Sequence, residues 1–301
     1  MKENEAYLSL RPVVAEPLAI IDAATDADEQ VVEMWLHGRS PHTVRAYRRD
    51  VRRFQGFTGK PLGAVTLRDL QAFADTLAGA PASRTRTLAT LKSLLGFAAR
   101  LGFVPFNVGA ALRIVKHRKG LTDRILDEPA VQKMLLVTER VPRDHALIRL
   151  AYAGGLRVSE FVSVRWSDIA RAPEGEAFVT VFGKGERTRT VRISAATFAT
   201  LLALRNDASD DANDDAFVFG GRDGHLSPVQ AWRIVRDAAK AANLKKPVSP
   251  HFLRHAHASH ALDRGASIVL VRDTLGHASV ATTNAYLHAR PGESSSRYLA
   301  V

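Results

Sequence analysis

The sequence predicts a mostly α-helical chain in two parts: an N-terminal helical domain, then a larger α+β domain with a small antiparallel sheet. Three observations lead there. Runs with apolar residues at helical spacing open on Ser-Pro or Asp-x-Pro starts. Two β-type segments, FVTVF and RTVRI, flank GKGERT and read as strands around a tight turn. Between the two parts lies RIVKHRKGLTDR (113–124), basic, glycine-containing and without sustained period, which reads as a linker.

In chain order, residues 1–30 read as a loosely ordered acidic leader. Residues 1–33 hold eight acids and two bases. A helix starts at Ser40 as N-cap with Pro41 in its first turn. Val44, Tyr47, Val51 and Phe54 share one face, and Arg45, Arg48, Arg49, Arg52 and Arg53 fill much of the rest. A second amphipathic helix covers 84–100, with Leu88, Leu91, Leu94, Leu95 and Ala98 inward and Arg84, Arg86, Lys92 and Arg100 outward. After the linker, Asp127 caps a helix, and the next, about 143–152, ends at Gly154–Gly155. The two strands follow, then the acidic loop NDASDDANDD and the short apolar run AFVFG. From Ser227 the pattern is helical, broken at Arg264–Gly265 and Gly276. The domains are expected at 31–112 and 125–290, with a tail over 291–301.

The chain has 301 residues, no cysteine and a formal net charge of +11. Disulfides and thiolate metal sites are thereby excluded, which suits a reducing cytoplasm. MKENEAYLSL lacks the basic start and apolar core of a signal peptide, and no apolar run approaches the roughly 18–20 residues that span a bilayer. Outside residues 1–33 there are 40 bases against 23 acids. A surplus of that size points to a polyanionic partner, most often nucleic acid.

SPHFLRHAHASH (249–260) holds four histidines. His251 and His255 stand four apart on a helix begun by Ser249 and Pro250, a spacing that brings two imidazoles to one face. A zinc protease also needs a Glu beside the first His, and this segment has no acid before Asp263. Arg254 lies between them, a poor neighbour for a dication, and His257 points elsewhere. An anion fits better: Arg offers a rigid fork of donors for phosphate oxygens, and imidazole donates or takes a proton near neutral pH. H-x-x-R alone means little.

Three further stretches add weight. AYAGGLRVSE puts Arg157 after a glycine break at a helix start, VFGKGERTR puts Lys184 at a hairpin tip, and LGHASVATTNAYLH puts His277 nine residues before Tyr286. In this order the motifs resemble the tyrosine recombinase (phage integrase) family. GLRVSE, HFLRH and LGHASVATTNAY match closely, and SPHTVRAYRRDVRRF resembles the start of the N-terminal core-binding domain of Xer-type members. The likeness spans about 40–290.

The resemblance implies that 31–112 is a core-binding, DNA-binding domain and 125–290 the catalytic domain, together a C-shaped clamp on duplex DNA. Tyr286 is then the nucleophile, forming a 3′-phosphotyrosyl link and freeing a 5′-hydroxyl. Arg157 and Arg254 clamp the non-bridging oxygens, Lys184 is the general acid, His251 the base or proton shuttle, and His277 a further donor to the phosphate. His255 is given a supporting place. His257 stands where relatives carry a bulky apolar residue, so different packing is expected there. A phenol with pKa near 10 needs its developing charge stabilised, and fixed cationic donors can replace Mg²⁺. No cofactor, metal or ATP is expected, and no GxxxxGK[ST] loop occurs. The implied partner is duplex DNA with an inverted-repeat site, bound by a homotetramer or by a heterotetramer with a paralogue, in the cytoplasm and without a membrane. A type IB topoisomerase-like strand-passage enzyme is the runner-up reading. A DNA-binding protein with a lapsed site is the third, and the complete residue set argues against it. A hinge at Pro291–Gly292 followed by Tyr298, Leu299 and Val301 predicts a tail that docks on a neighbouring protomer.

Overall fold

A computed structural model describes residues 26–114, 121–183, 188–205, 214–221, 224–277 and 279–287. The chain divides into two compact units, 1–118 and 119–301. The expectations for residues 1–25, for Lys184 and for the tail lie outside the described residues.

The first unit is helical: α1 (Ala27–Leu36), α2 (Pro41–Thr58), α3 (Leu67–Thr76) and α4 (Pro81–Arg100). Ser40 caps α2 through its side chain, with Pro41 in the first turn and left-handed Gly59 at the end. Val51 and Phe54 of α2, Leu70 and Phe73 of α3, and Leu91, Leu94, Leu95 and Ala98 of α4 are buried together with Val31, Trp35 and Leu36 of α1. Residues 27–30, assigned from sequence to the acidic leader, form the first turn of α1. Their acids are used by the fold: the buried Asp28 carboxylate accepts the Leu62 N–H at 2.7 Å, and Glu29 and Glu33 pair with Arg48.

That changes the account of the basic face. Arg45, Arg49, Arg52 and Arg53 are exposed, but Arg48 is held by α1 acids. On α4, Arg86 forks onto the buried Asp50, its Nη2 at 3.0 Å from Oδ1. Lys92 donates to the carbonyls of Ala110 and Leu112 at 3.2 and 2.5 Å. Arg86 and Lys92 therefore serve the fold, contrary to their expected outward place, because three acceptor groups unseen in local periodicity come from elsewhere in the chain.

The second unit holds α5 (Glu128–Thr138), α6 (Pro142–Ala153), α7 (Val158–Val162), α8 (Ala195–Leu202), α9 (Pro228–Ala241), α10 (Pro250–Asp263), α11 (Ile268–Leu275) and α12 (Val280–Leu287). Asp127 caps α5 by accepting the Ala130 N–H at 2.8 Å. The end of the expected linker, Leu121–Arg124, is a 3-10 turn. Strands β1 (Ile169–Arg171), β2 (Ala177–Phe182) and β3 (Thr188–Ile193) form an antiparallel sheet in the order β1-β2-β3, with Phe182 opposite Thr188. Five residues therefore join β2 to β3, more than a two-residue turn. Ala177, Val179 and Val181 alternate into the core while Phe178 and Phe182 face outward. AFVFG sends Val218 and Phe219 inward, then leads into a second ribbon of β4 (Gly220–Gly221) and β5 (Gly224–His225). Helix α6, buried at Leu147, Ile148 and Leu150, packs against α10 and α5 and so anchors the helix that carries the histidines.

Candidate active site

Four short segments meet at the C-terminal end of α11. The first is the glycine turn after α6. Gly155 has φ +58°, and a Cβ there would lie 2.7 Å from the His257 ring and 2.8 Å from Leu275. Glycine is needed both for the left-handed backbone and for the close approach. The turn leads into Arg157 at the start of α7. The Arg157 N–H donates to Glu160 Oε2 at 2.8 Å, its Nη1 to Glu160 Oε1 at 2.7 Å, and its Nη2 to the Gly276 carbonyl at 3.3 Å.

The second segment is α10. Arg254 is 4% exposed. Backbone carbonyls hold it, Nη1 donating to Gly155 at 2.7 Å and Nη2 to Leu275 at 2.6 Å. Burial, then the nearby Arg157 charge, lowers its pKa to about 10, so it stays cationic at neutral pH. His251, one turn earlier, is exposed. The pair shares a helix face but differs in depth. His257 turns away and bonds the Tyr152 carbonyl through Nδ1 at 2.9 Å. Burial holds its pKa down at about 4. A polar ring fits here because the Tyr152 carbonyl partners it and Gly155 leaves it room.

The third segment follows α11, where Gly276 takes φ +64°. His277 comes next, its Nδ1 2.9 Å from the hydroxyl of the buried Thr283. That bond leaves Nε2 as the nitrogen turned from α12. Burial, with the charges of Arg254, Arg157 and Arg189, lowers its pKa to about 4.

The fourth is α12. Tyr286 is 3% exposed and packs with Ala258, Leu262, Val271 and Leu275. Its hydroxyl lies 2.7 Å from His255 Nδ1. Burial raises the phenol pKa against the opposing pull of Arg254. His255 is itself lowered to about 4, by burial and then by His251 and Arg124. The rings of His251, His255 and Tyr286 follow one another at 6.4 and 5.7 Å between centroids.

The structure thus gathers Arg157, Arg254, His277 and Tyr286 around one helix end, with His251 at the rim, while Lys184 lies outside the described residues. Sequence reasoning gave His255 only a supporting place, yet His255 is the histidine on the tyrosine hydroxyl. It also passed over Glu160, Arg189 and Thr283. Two i, i+3 spacings were available as signals: Arg157 with Glu160 at the start of α7, and Thr283 with Tyr286 on one face of α12. Among the described residues, no group of three His, Cys, Asp or Glu gathers as a metal cluster. No described helix is long and apolar enough to cross a membrane.

Known proteins resemble this chain in sequence and in fold. Residues 124–293 match the Phage integrase family, and residues 34–102 match the Phage integrase, N-terminal SAM-like domain. The tyrosine recombinase XerC of Mycobacterium bovis is 33% identical over 83% of this chain and 89% of its own length. XerC of Xanthomonas campestris is 31% identical over 91% of this chain and 88% of its own. In fold, the chain is similar to a lambda integrase dimer bound to a core site, with a TM-score of 0.71 at 21% identity over 89% of this chain and 95% of that one. A match across more than half the chain, with relatives above 30% identity, makes this chain a member of the phage integrase family, the tyrosine recombinases.

Proposed function

We propose that this chain is a site-specific DNA recombinase that cuts and rejoins strands through a 3′-phosphotyrosyl intermediate. The observation that carries the reading is the meeting of Arg157, Arg254 and His277 at the end of α11, with the Tyr286 hydroxyl in the same shell. Two guanidiniums fixed by carbonyls and a carboxylate are preorganised for an anion, so little rearrangement is needed as charge grows on a pentavalent phosphorus. Tyr286 Oη forms the bond to phosphorus while the bond from phosphorus to the 5′-oxygen breaks. Lys184 gives that oxygen its proton, and the phenol proton passes to an imidazole. His251 was the sequence candidate for that step. The direct contact favours His255 as the first acceptor, with His251 next along the row of rings. The reverse attack by a 5′-hydroxyl reseals the strand, so the phosphodiester energy is kept and neither ATP nor a metal is required.

Residues 31–112 would bind DNA through the exposed Arg45, Arg49, Arg52 and Arg53 of α2, and 125–290 would carry the chemistry. Exchange between two duplexes needs four cleavages, so a tetramer of this chain, or of this chain with a paralogue, on inverted-repeat DNA in the cytoplasm is the working assembly.

The test is a nicked suicide duplex that traps the covalent adduct on a denaturing gel. The native chain should form the adduct in EDTA. Tyr286→Phe should bind the duplex with unchanged affinity and give none. An adduct of undiminished yield from Tyr286→Phe overturns the assignment. Fragments selected from genomic DNA should share an inverted-repeat core, whereas unselective relaxation of supercoils by a monomer would mark a topoisomerase instead.

A further inference from the structure

Arg189, on β3, has no part in the reading above, yet it holds the same scaffold as Arg157 and Arg254. Its Nη1 and Nη2 lie 3.0 and 2.7 Å from Glu160 Oε1 and Oε2, and its Nε donates to the Thr274 carbonyl at 2.7 Å. The Leu275 carbonyl accepts from Arg254, and the Gly276 carbonyl accepts from Arg157. Three consecutive carbonyls at the end of one helix therefore each hold a different guanidinium.

The physical basis is plain. The last carbonyls of a helix lack intrahelical partners and carry the negative end of its dipole. Here the left-handed turn at Gly276 closes its own N–H onto Arg272 and Asp273, which leaves the next three carbonyls to the arginines. A Cβ on Gly276 would come within 3.1 Å of the Arg189 guanidinium, so glycine admits Arg189 as well as the turn. Glu160, 2% exposed at its side chain, adds the one full negative charge.

We propose that Arg189 is a positioning residue that sets the Arg157–Arg254 clamp, resting on the clamp reading given above. Arg189 takes both oxygens of Glu160 in a fork, so Arg157 bonds that carboxylate through a single side-chain nitrogen, Nη1. Without Arg189, Glu160 would draw in the second Arg157 nitrogen, which now bonds Gly276, and turn the guanidinium from the position where a phosphate would sit. Arg189 also ties the strand that follows Lys184 to the end of α11.

The experiment uses the full chain in single-turnover cleavage of suicide duplexes with three scissile groups: the natural phosphodiester, a methylphosphonate that lacks one negative oxygen, and a bridging 5′-phosphorothiolate. Arg189→Ala should bind DNA within about twofold of the native chain and cleave the phosphodiester about a hundredfold more slowly, the cost of misplacing a group by about an ångström. The deficit should shrink to less than about tenfold on the methylphosphonate, where less charge needs the clamp, and persist on the phosphorothiolate, which bypasses only the leaving-group proton. Arg189→Lys, which keeps the charge but loses the fork, should show the same pattern and covers the case in which the alanine variant fails to fold. An equal deficit on all three substrates would make Arg189 merely structural, and rescue by sulfur would assign it to the leaving group. Either result overturns the proposal. Arg157→Ala runs alongside: if it shows no methylphosphonate effect, the clamp reading itself fails, whereas an effect there without one in Arg189 removes only Arg189.

Discussion

Glu160→Gln isolates the one buried carboxylate among the arginines while keeping side-chain shape. Burial by itself raises the Glu160 pKa. Hydrogen bonds from Arg189 and from the Arg157 backbone and side chain outweigh it and bring the value from 4.5 to about 2. A depressed carboxylate stabilises the fold above its unfolded pKa, and that contribution is lost as pH falls towards the folded value. The difference of about 2.5 units is worth about 3 kcal/mol at pH 7, and about half of it remains at pH 3. With a urea slope of about 2 kcal/mol per molar, Glu160→Gln should lower the unfolding midpoint of the 119–301 unit by about 1.5 M at pH 7. Urea titrations followed by hydrogen exchange of β2 and β3 amides, at pH steps from 7 to 3, measure this. The gap between native and variant should narrow steadily below pH 4.5. A gap that stays constant across that range would refute the argument, because the loss would then be packing rather than charge.

Lys184→Ala should cleave a natural phosphodiester orders of magnitude more slowly and recover on a bridging 5′-sulfur substrate, since a thiolate leaves without a proton. Equal impairment on both removes Lys184 from the general-acid role. Asp50→Asn should destabilise the N-terminal unit by about 1–3 kcal/mol, because it removes the charge paired with the partly exposed Arg86 and leaves one acceptor oxygen where Thr87 and Thr90 now use two. Hydrogen exchange of α2 and α4 amides reports it, and a loss under about 0.5 kcal/mol would contradict the pair's importance.

The parts of this fold legible in the sequence are those set by local chemistry. Ser40-Pro41 and Ser249-Pro250 open α2 and α10, Asp127 caps α5, Gly154–Gly155 closes α6, and alternation along 177–182 marks a strand with one buried face. The missed parts depend on partners far along the chain. Arg86 reads as an outward arginine because Asp50 lies 36 residues away. Arg189 meets Glu160 across 29 residues and Thr274 across 85. His255 reads as support because its partner, Tyr286, is 31 residues on. Helical periodicity describes which face a residue takes, and it holds no information on which acceptor a second segment brings to that face.

Burial, with neighbouring positive charge second, sets the protonation of the site's histidines and tyrosine. His255 and His277 are both held down at about 4 by burial and by surrounding positive charge, so both are neutral at physiological pH. The Tyr286 phenol is raised by burial. The contact at 2.7 Å is therefore a hydrogen bond between two neutral groups. Under the proposed function, a phosphate seated between Arg157 and Arg254 would add negative charge beside imidazoles that burial first, and neighbouring positive charge second, keep neutral. The proton affinity of His255 would then rise, which would strengthen an acceptor the phenol already touches. Substrate charge would thus complete the base and confine attack by Tyr286 to the occupied site, in a unit where Glu160 is the one buried carboxylate among the described residues.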